Sequence, residues 1–342
     1  MNTPTEKTPS YLPDIAPEHP FAEYVRILGK GKTGTRSLTG EEAEAAMGMI
    51  LRNEVEDIQL GAFMMLLRVK EESPEELLGF VKAVRNEIPS PTFTVDLDWA
   101  SYAGKRRQLP WYLLAALALA DSGTKVFMHG AGGHTIGRLY SEHALRYMGE
   151  TIAENWQESE QSITNNNFVF MPLTSFSPVL QRIVDFRNHF GLRSPVHTLA
   201  RLINPCNADY SLQSIFHPAY GESHQLTANQ LAQKHAAVFK GEAGEVERKP
   251  EARTVVRYVN DGELSEETWP ALLNGRQEKL ESLNLDICIE HWQGKQQNEY
   301  GEQAVLGTLA IALKMMGKAH TQQQAFELAK DVWQARDRQR LG

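Results

Sequence analysis

At 342 residues, with 42% hydrophobic and 23% charged residues, the chain has an ordinary globular composition and the length for one large domain with a smaller satellite. The most apolar stretch, Leu113–Ala120, is far shorter than the roughly 20 residues that cross a bilayer, no secretory leader pattern opens the chain, and Cys206 and Cys288 cannot build a disulfide framework; the composition therefore points to a cytoplasmic protein with no membrane partner. The net charge of −8 argues against a polyanion partner, yet the charges are segregated: Glu41–Glu76 holds ten acids against three bases, whereas Phe21–Gly40 and Trp99–Lys125 each hold four bases against one acid.

Residues 1–20, rich in proline and without apolar periodicity, read as a flexible arm. Thr39-Gly40-Glu41-Glu42 is a capping box that starts a helix to about Arg52, with Ala43, Met47, Ile50 and Leu51 as its apolar stripe. A second helix runs from about Asp57 to Lys70, and a third starts at Ser73-Pro74-Glu75-Glu76 and ends before Pro89. After Pro91 short apolar strands alternate with helices. Strands are predicted at Phe93–Val95, Lys125–Met128, Phe168–Met171, Ser214–Phe216, Ala237–Phe239 and Thr254–Tyr258. Helices are predicted near Leu113–Ser122, at Ser141–Tyr147, from Thr227 to about His235, and twice between about Gly301 and Arg336. This alternation specifies an α/β fold with a mostly parallel sheet. The domain division is a small helical domain over 21–90, joined by part of 172–203, and a large α/β domain over 91–171 and 204–342.

Gly31-Lys32-Thr33 has the look of a P-loop end. No glycine stands upstream at the required spacing, and the segment follows a helix, so that reading fails.

The order of segments resembles the anthranilate phosphoribosyltransferase family. The resemblance is carried by Gln59-x-Gly61-Ala62-Phe63, Val126-x-x-His129-Gly130, Phe170-Met171-Pro172, Arg187-x-x-Phe190-Gly191-x-Arg193, Asn204-Pro205 and Lys240-Gly241-Glu242-Ala243-Gly244-Glu245. Ser101-Tyr102-x-Gly104-Lys105-Arg106-Arg107 and Arg193-Ser194-Pro195-Val196-His197-Thr198 resemble a divergent, YbiB-like branch of it. The resemblance implies a helical domain beside an α/β domain and a homodimer. For the branch it further implies non-specific nucleic-acid binding in place of tryptophan-pathway activity.

The family's chemistry needs bare backbone N–H groups around a sugar diphosphate. The matching segment here, about Ala100–Lys105, carries Tyr102, and Pro110-Trp111-Tyr112-Leu113 stands where hydroxyl donors are usual. Gly104, His129, Gly130, Arg187 and Arg193 are left as a vestigial substrate pocket, with Arg187 suited to a carboxylate. The magnesium-binding acid pair is reduced to Val246-Glu247, with Glu242 and Glu245 nearby, so these three glutamates would form a metal site only if phosphoribosyl pyrophosphate is still bound; otherwise no cofactor is expected. Lys105, Arg106 and Arg107 beside Tyr102 and Trp111 combine charge with aromatic faces, as single-strand binders require. Lys30, Lys32 and Arg36 form a second candidate patch. The expected function is non-specific nucleic-acid binding, DNA or RNA, through these loops; the alternative is an active glycosyl- or phosphoribosyltransferase with an altered acceptor.

Overall fold

The computed structural model describes residues 17–275 and 277–342, so the predicted arm lies outside it as far as residue 16. Four helices open the described chain: α1 (Ala22–Gly29), α2 (Gly40–Leu51), α3 (Asp57–Lys70) and α4 (Pro74–Glu87). The predicted capping boxes form at Thr39 with Glu42 and at Ser73 with Glu76, each pairing otherwise orphaned N–H groups. Helices α2 and α4 cross at Gly40 and Gly79, where any side chain at Gly79 would strike the Gly40 carbonyl. Buried Glu76 binds the Leu38 N–H at 2.8 Å and the Lys70 ammonium at 2.6 Å, tying the approach to α2 onto α3 and α4.

The larger part is one seven-stranded sheet in the order β3-β2-β1-β4-β5-β6-β7. Its strands are β1 (Leu97–Ser101), β2 (Val126–Gly130), β3 (Phe168–Pro172), β4 (Tyr210–Ile215), β5 (His235–Lys240), β6 (Thr254–Asn260) and β7 (Glu263–Trp269). Strands β1 to β5 run parallel, while β6 and β7 form an antiparallel edge. Helix α5 (Trp111–Asp121) links β1 to β2, and α6 (Ser141–Tyr147) and α7 (Trp156–Asn166) link β2 to β3. Four short helices lead to β4: α8 (Leu173–Phe176), α9 (Pro178–Asp185), α10 (Arg187–Phe190) and α11 (Val196–Leu199). Helix α12 (Tyr220–Gln230) links β4 to β5, and α13 (Asp286–Gln293), α14 (Glu299–Met315) and α15 (Gln322–Ala335) close the chain. None of these helices is long and apolar enough to cross a membrane.

Because successive strand residues face opposite sides, β1 feeds two cores. Leu97 and Trp99 join α5, α13, α14 and α15 on one face. Ala100, with Phe127 of β2 and Val169 of β3, joins residues of α1–α4 and of the 173–203 helices on the other.

Several boundaries differ from the sequence reading. The first strand is Leu97–Ser101, not Phe93–Val95: Asp98 interrupts the apolar run but is itself buried beside Ser211 and His129, while Phe93 packs on Trp156. Helix α12 covers 220–230 and stops well short of His235, since Ala232 turns the chain with φ 56° into β5. The β4 strand begins four residues before the predicted one and leaves Phe216 in a loop. Strand β7 and helices α7 and α13 escaped prediction. Strand β7 is largely exposed and polar, and its one local mark is the Asp261-Gly262 hairpin turn, with φ 46° and 88°.

Candidate functional site

Strands β1 and β4 are neighbours, although the chain visits β2 and β3 between them. In open α/β sheets the crevice beyond such a switch point, at the carboxyl ends of the strands, is where ligands bind. Here it collects the loops after β1 (102–108), β2 (131–139), β4 (216–219) and β5 (241–249).

The loop after β1 is saturated from within. The Glu245 carboxylate accepts the N–H groups of Ala103 at 2.7 Å and Gly104 at 2.5 Å, and the Ser101 hydroxyl at 2.9 Å. Gly104, with φ +71°, supplies the turn that aims its N–H there. On the opposite side Arg138 donates to the carbonyls of Ala103 and Gly104 at 3.0 and 2.9 Å. The backbone donors expected to face a diphosphate therefore hold a carboxylate of the chain itself. Glu245, Ser101, Ser141 and the Tyr112 hydroxyl form one buried network around it.

Lys105 also departs from expectation. It is fully buried, and its ammonium meets the Glu247 carboxylate at 2.5 Å, while the other Glu247 oxygen accepts the Tyr112 N–H at 3.0 Å. Burial raises the Glu247 carboxyl, and Lys105 opposes that shift. The three consecutive bases are thus two on the surface, Arg106 and Arg107, with Lys105 used internally. Tyr102 and Trp111 are no stacking platform, because both are buried; the Tyr102 hydroxyl lies 2.6 Å from His129 Nδ1. The proposed glutamate metal set fails as well. Glu245 and Glu247 are engaged as described, Glu242 lies 3.9 Å from Lys249, and no group of three metal-ligating side chains occurs among the described residues. As arranged, these residues do not fit a magnesium-bound diphosphate.

What the crevice does present is positive. A cavity of about 340 Å³ is lined by Arg68, Arg138, Arg187, Arg193 and Arg201 against a single acid, Glu72. Burial, Arg201 and Arg138 together pull the Arg193 guanidinium down to about 10. Burial pushes the Glu72 carboxyl up to about 7. An adjoining cleft of about 340 Å³ is lined by Arg106, Arg107, Arg138, Lys249 and Lys279, with Glu242 and Glu251 as its acids. A third, of about 560 Å³, has an apolar floor of Ile215 and Val238 and a rim with Lys240, Arg253 and Arg257. Phe216 lines all three and is 45% exposed.

Of the expected pocket, Arg187 and Arg193 do meet in the arginine cavity, and Arg187 makes no ion pair with Asp185 among the described residues. His129 and Gly130 are buried at the end of β2; His129 Nε2 faces Asp98 at 3.1 Å, so it has no path to a substrate. Lys30 and Lys32 are exposed but line none of these clefts, and Arg36 is held by both oxygens of Glu42. Sequence reasoning missed Phe216, Arg68, Arg138 and Arg201. Phe216-His217-Pro218 directly after an apolar run was the available signal for Phe216; for the arginines no local signal exists, because strands separated in sequence bring them together.

Residues 22–87 match the helical bundle domain of the Glycosyl transferase family, and residues 112–335 match the a/b domain of that family. The uncharacterized protein YbiB of Escherichia coli K12 is 30% identical over 206 residues, covering 58% of this chain and 64%, just under two thirds, of that protein. The anthranilate phosphoribosyltransferase of Sulfolobus acidocaldarius is 25% identical over 314 residues, covering 88% of this chain and 90% of that enzyme. In fold the chain is similar to the anthranilate phosphoribosyltransferase of Thermus thermophilus, with TM-score 0.76 at 20% identity over 92% of this chain and 96% of that one. The yeast enzyme in complex with PRPP and Mg superposes with TM-score 0.77 at 15% identity, covering 94% and 95%.

Proposed function

The chain belongs to the Glycosyl transferase family of paired helical-bundle and a/b domains, and from that premise we propose a member that binds nucleic acid without sequence preference, as a homodimer, in place of the tryptophan-pathway transfer. The carrying observation is Phe216: an exposed aromatic ring at the junction of clefts walled by Arg106, Arg107, Arg138 and Lys249. Single-strand binders pair a basic track for phosphates with an aromatic face on which any base can stack. The Glu245 carboxylate on the Ala103 and Gly104 N–H groups supports the loss of diphosphate handling. On α3, Ile58 (82% exposed), Ala62 and Val69 (85% exposed) make an apolar stripe at helical spacing, which suits a self-association face.

The test is titration of a random-sequence single strand at several salt concentrations. Log affinity should fall linearly with log salt as phosphate contacts release counterions. Absence of binding at low salt would overturn the reading.

The second reading is transfer to an altered acceptor, favoured by Arg187 and Arg193 still lining a real cavity. Calorimetry with phosphoribosyl pyrophosphate and magnesium decides it, since no heat at millimolar ligand removes it.

A further inference from the structure

The arginine cavity contains more than charge. Ser194, His197 and Arg201 lie in its wall, each more than nine-tenths buried. The Ser194 hydroxyl, His197 Nε2 and Arg201 Nε have no hydrogen-bond partner among the described residues. Buried polar atoms left unpaired are costly and rare in native interiors, and three in one wall beside a cavity mark a place that a ligand completes.

Their chemistry narrows the ligand. The guanidinium groups of Arg187, Arg193 and Arg201 call for an anion with several oxygens. Burial, with Arg201 and Arg138 close by, depresses Arg193, and such an anion relieves the repulsion among these charges. His197 adds a second demand. Its Nδ1 lies 3.2 Å from the Ser194 carbonyl, which can only accept, so Nδ1 carries the proton and Nε2 offers a lone pair. Burial and the neighbouring His134 and Arg193 hold the ring neutral. A carboxylate or an internal phosphodiester offers two charged oxygens and a single negative charge. A phosphomonoester offers three terminal oxygens and nearly two charges at neutral pH, matching three guanidinium groups and the Ser194 hydroxyl, and its minor singly protonated form can also donate to that nitrogen.

We propose that this cavity is a phosphomonoester site that, building on the nucleic-acid reading above, takes the phosphorylated end of a strand, with the terminal base against Phe216 at the mouth. The cavity, at about 340 Å³, lies at the small end of ligand-site sizes, consistent with one terminal group entering and the remaining strand leaving along the Arg106 and Arg107 cleft.

The experiment compares one single-stranded sequence carrying a 5′ phosphate, a 3′ phosphate, or hydroxyls at both ends, by fluorescence anisotropy at fixed salt. At least one phosphorylated form should bind about tenfold tighter or better than the hydroxyl-ended strand, the scale of a charge-assisted pair. Arg193→Gln should erase that difference while hydroxyl-ended binding persists. Equal affinity of all three strands for the wild-type chain overturns the proposal, and this comparison does not depend on any variant folding. Calorimetry with adenosine monophosphate and adenosine separates the two readings. If no strand binds but the monophosphate does and adenosine does not, the cavity assignment stands and the nucleic-acid reading falls. If neither strand nor monophosphate binds, both fall.

Discussion

Replacing Glu245 by alanine removes the anion that the loop after β1 is folded around. Three hydrogen bonds end, to Ala103 N, Gly104 N and Ser101 Oγ, at 2.5–2.9 Å in a fully buried setting. Hydrogen bonds to a charged group contribute about 1.5–3 kcal/mol each, and the loss is sub-additive once water enters. Arg201, buried nearby, also loses a favourable charge. A destabilisation of about 3–5 kcal/mol follows, as when one member of a buried pair is removed. In a chain of this size that lowers Tm by about 4–7 °C. The vacated N–H pair then becomes a site for an external anion. Thermal melting with and without millimolar pyrophosphate should show the variant gaining several degrees more by ligand linkage than the wild-type chain, in which only the arginine cavity is open to the anion. A variant that melts within about a degree of wild type, or a wild type stabilised by pyrophosphate as much as the variant, would refute this account of the loop.

Phe216→Ala should weaken single-strand binding by about 1–3 kcal/mol per stacked base, read by anisotropy, and leave Tm almost unchanged because the ring is 45% exposed. Glu72→Gln tests the acid in the arginine cavity. Its folded carboxyl, at about 7, lies above the unfolded value of about 4.3, so the folded chain holds that proton more tightly. Stability from this group is therefore full at acidic pH and is lost as pH climbs from about 4.5 to 7. The glutamine variant should gain about 3–4 kcal/mol at pH 8 and nothing at pH 4 in urea midpoints; equal gains at both pH values count against it. If the proposed homodimer forms through α3, Ile58→Asp with Val69→Asp should reduce it to a 38.5 kDa species by light scattering, with little change in fold, since both side chains are exposed.

Helix starts were legible where their signals are local: Thr39 with Glu42 and Ser73 with Glu76 cap the helices they were expected to cap. The sheet was legible in kind but not in its edges. Asp98 hides β1 inside a mixed sequence, and β7 is polar because it borders solvent. The site was least legible. Lys105-Arg106-Arg107 is a uniform run in one dimension, yet Lys105 turns inward because Glu247, 142 residues away, lies across from it. Tyr102 follows β1 into the core for the same reason of tertiary partnership, meeting His129. The bulk of Tyr102, expected to crowd the loop, is turned into the core instead, and it is Glu245 that occupies the loop N–H groups.

The clasp of Lys105 by Glu247 and of Ala103 and Gly104 by Glu245 joins the loops after β1 and β5 into one stiff rim. A surface fastened in this way is already in its working shape before any partner arrives, so little chain entropy is given up on contact. Encounter speed should then be governed by the field of the crevice arginines pulling against an acidic body, and should slow with added salt even where the final geometry is unaltered.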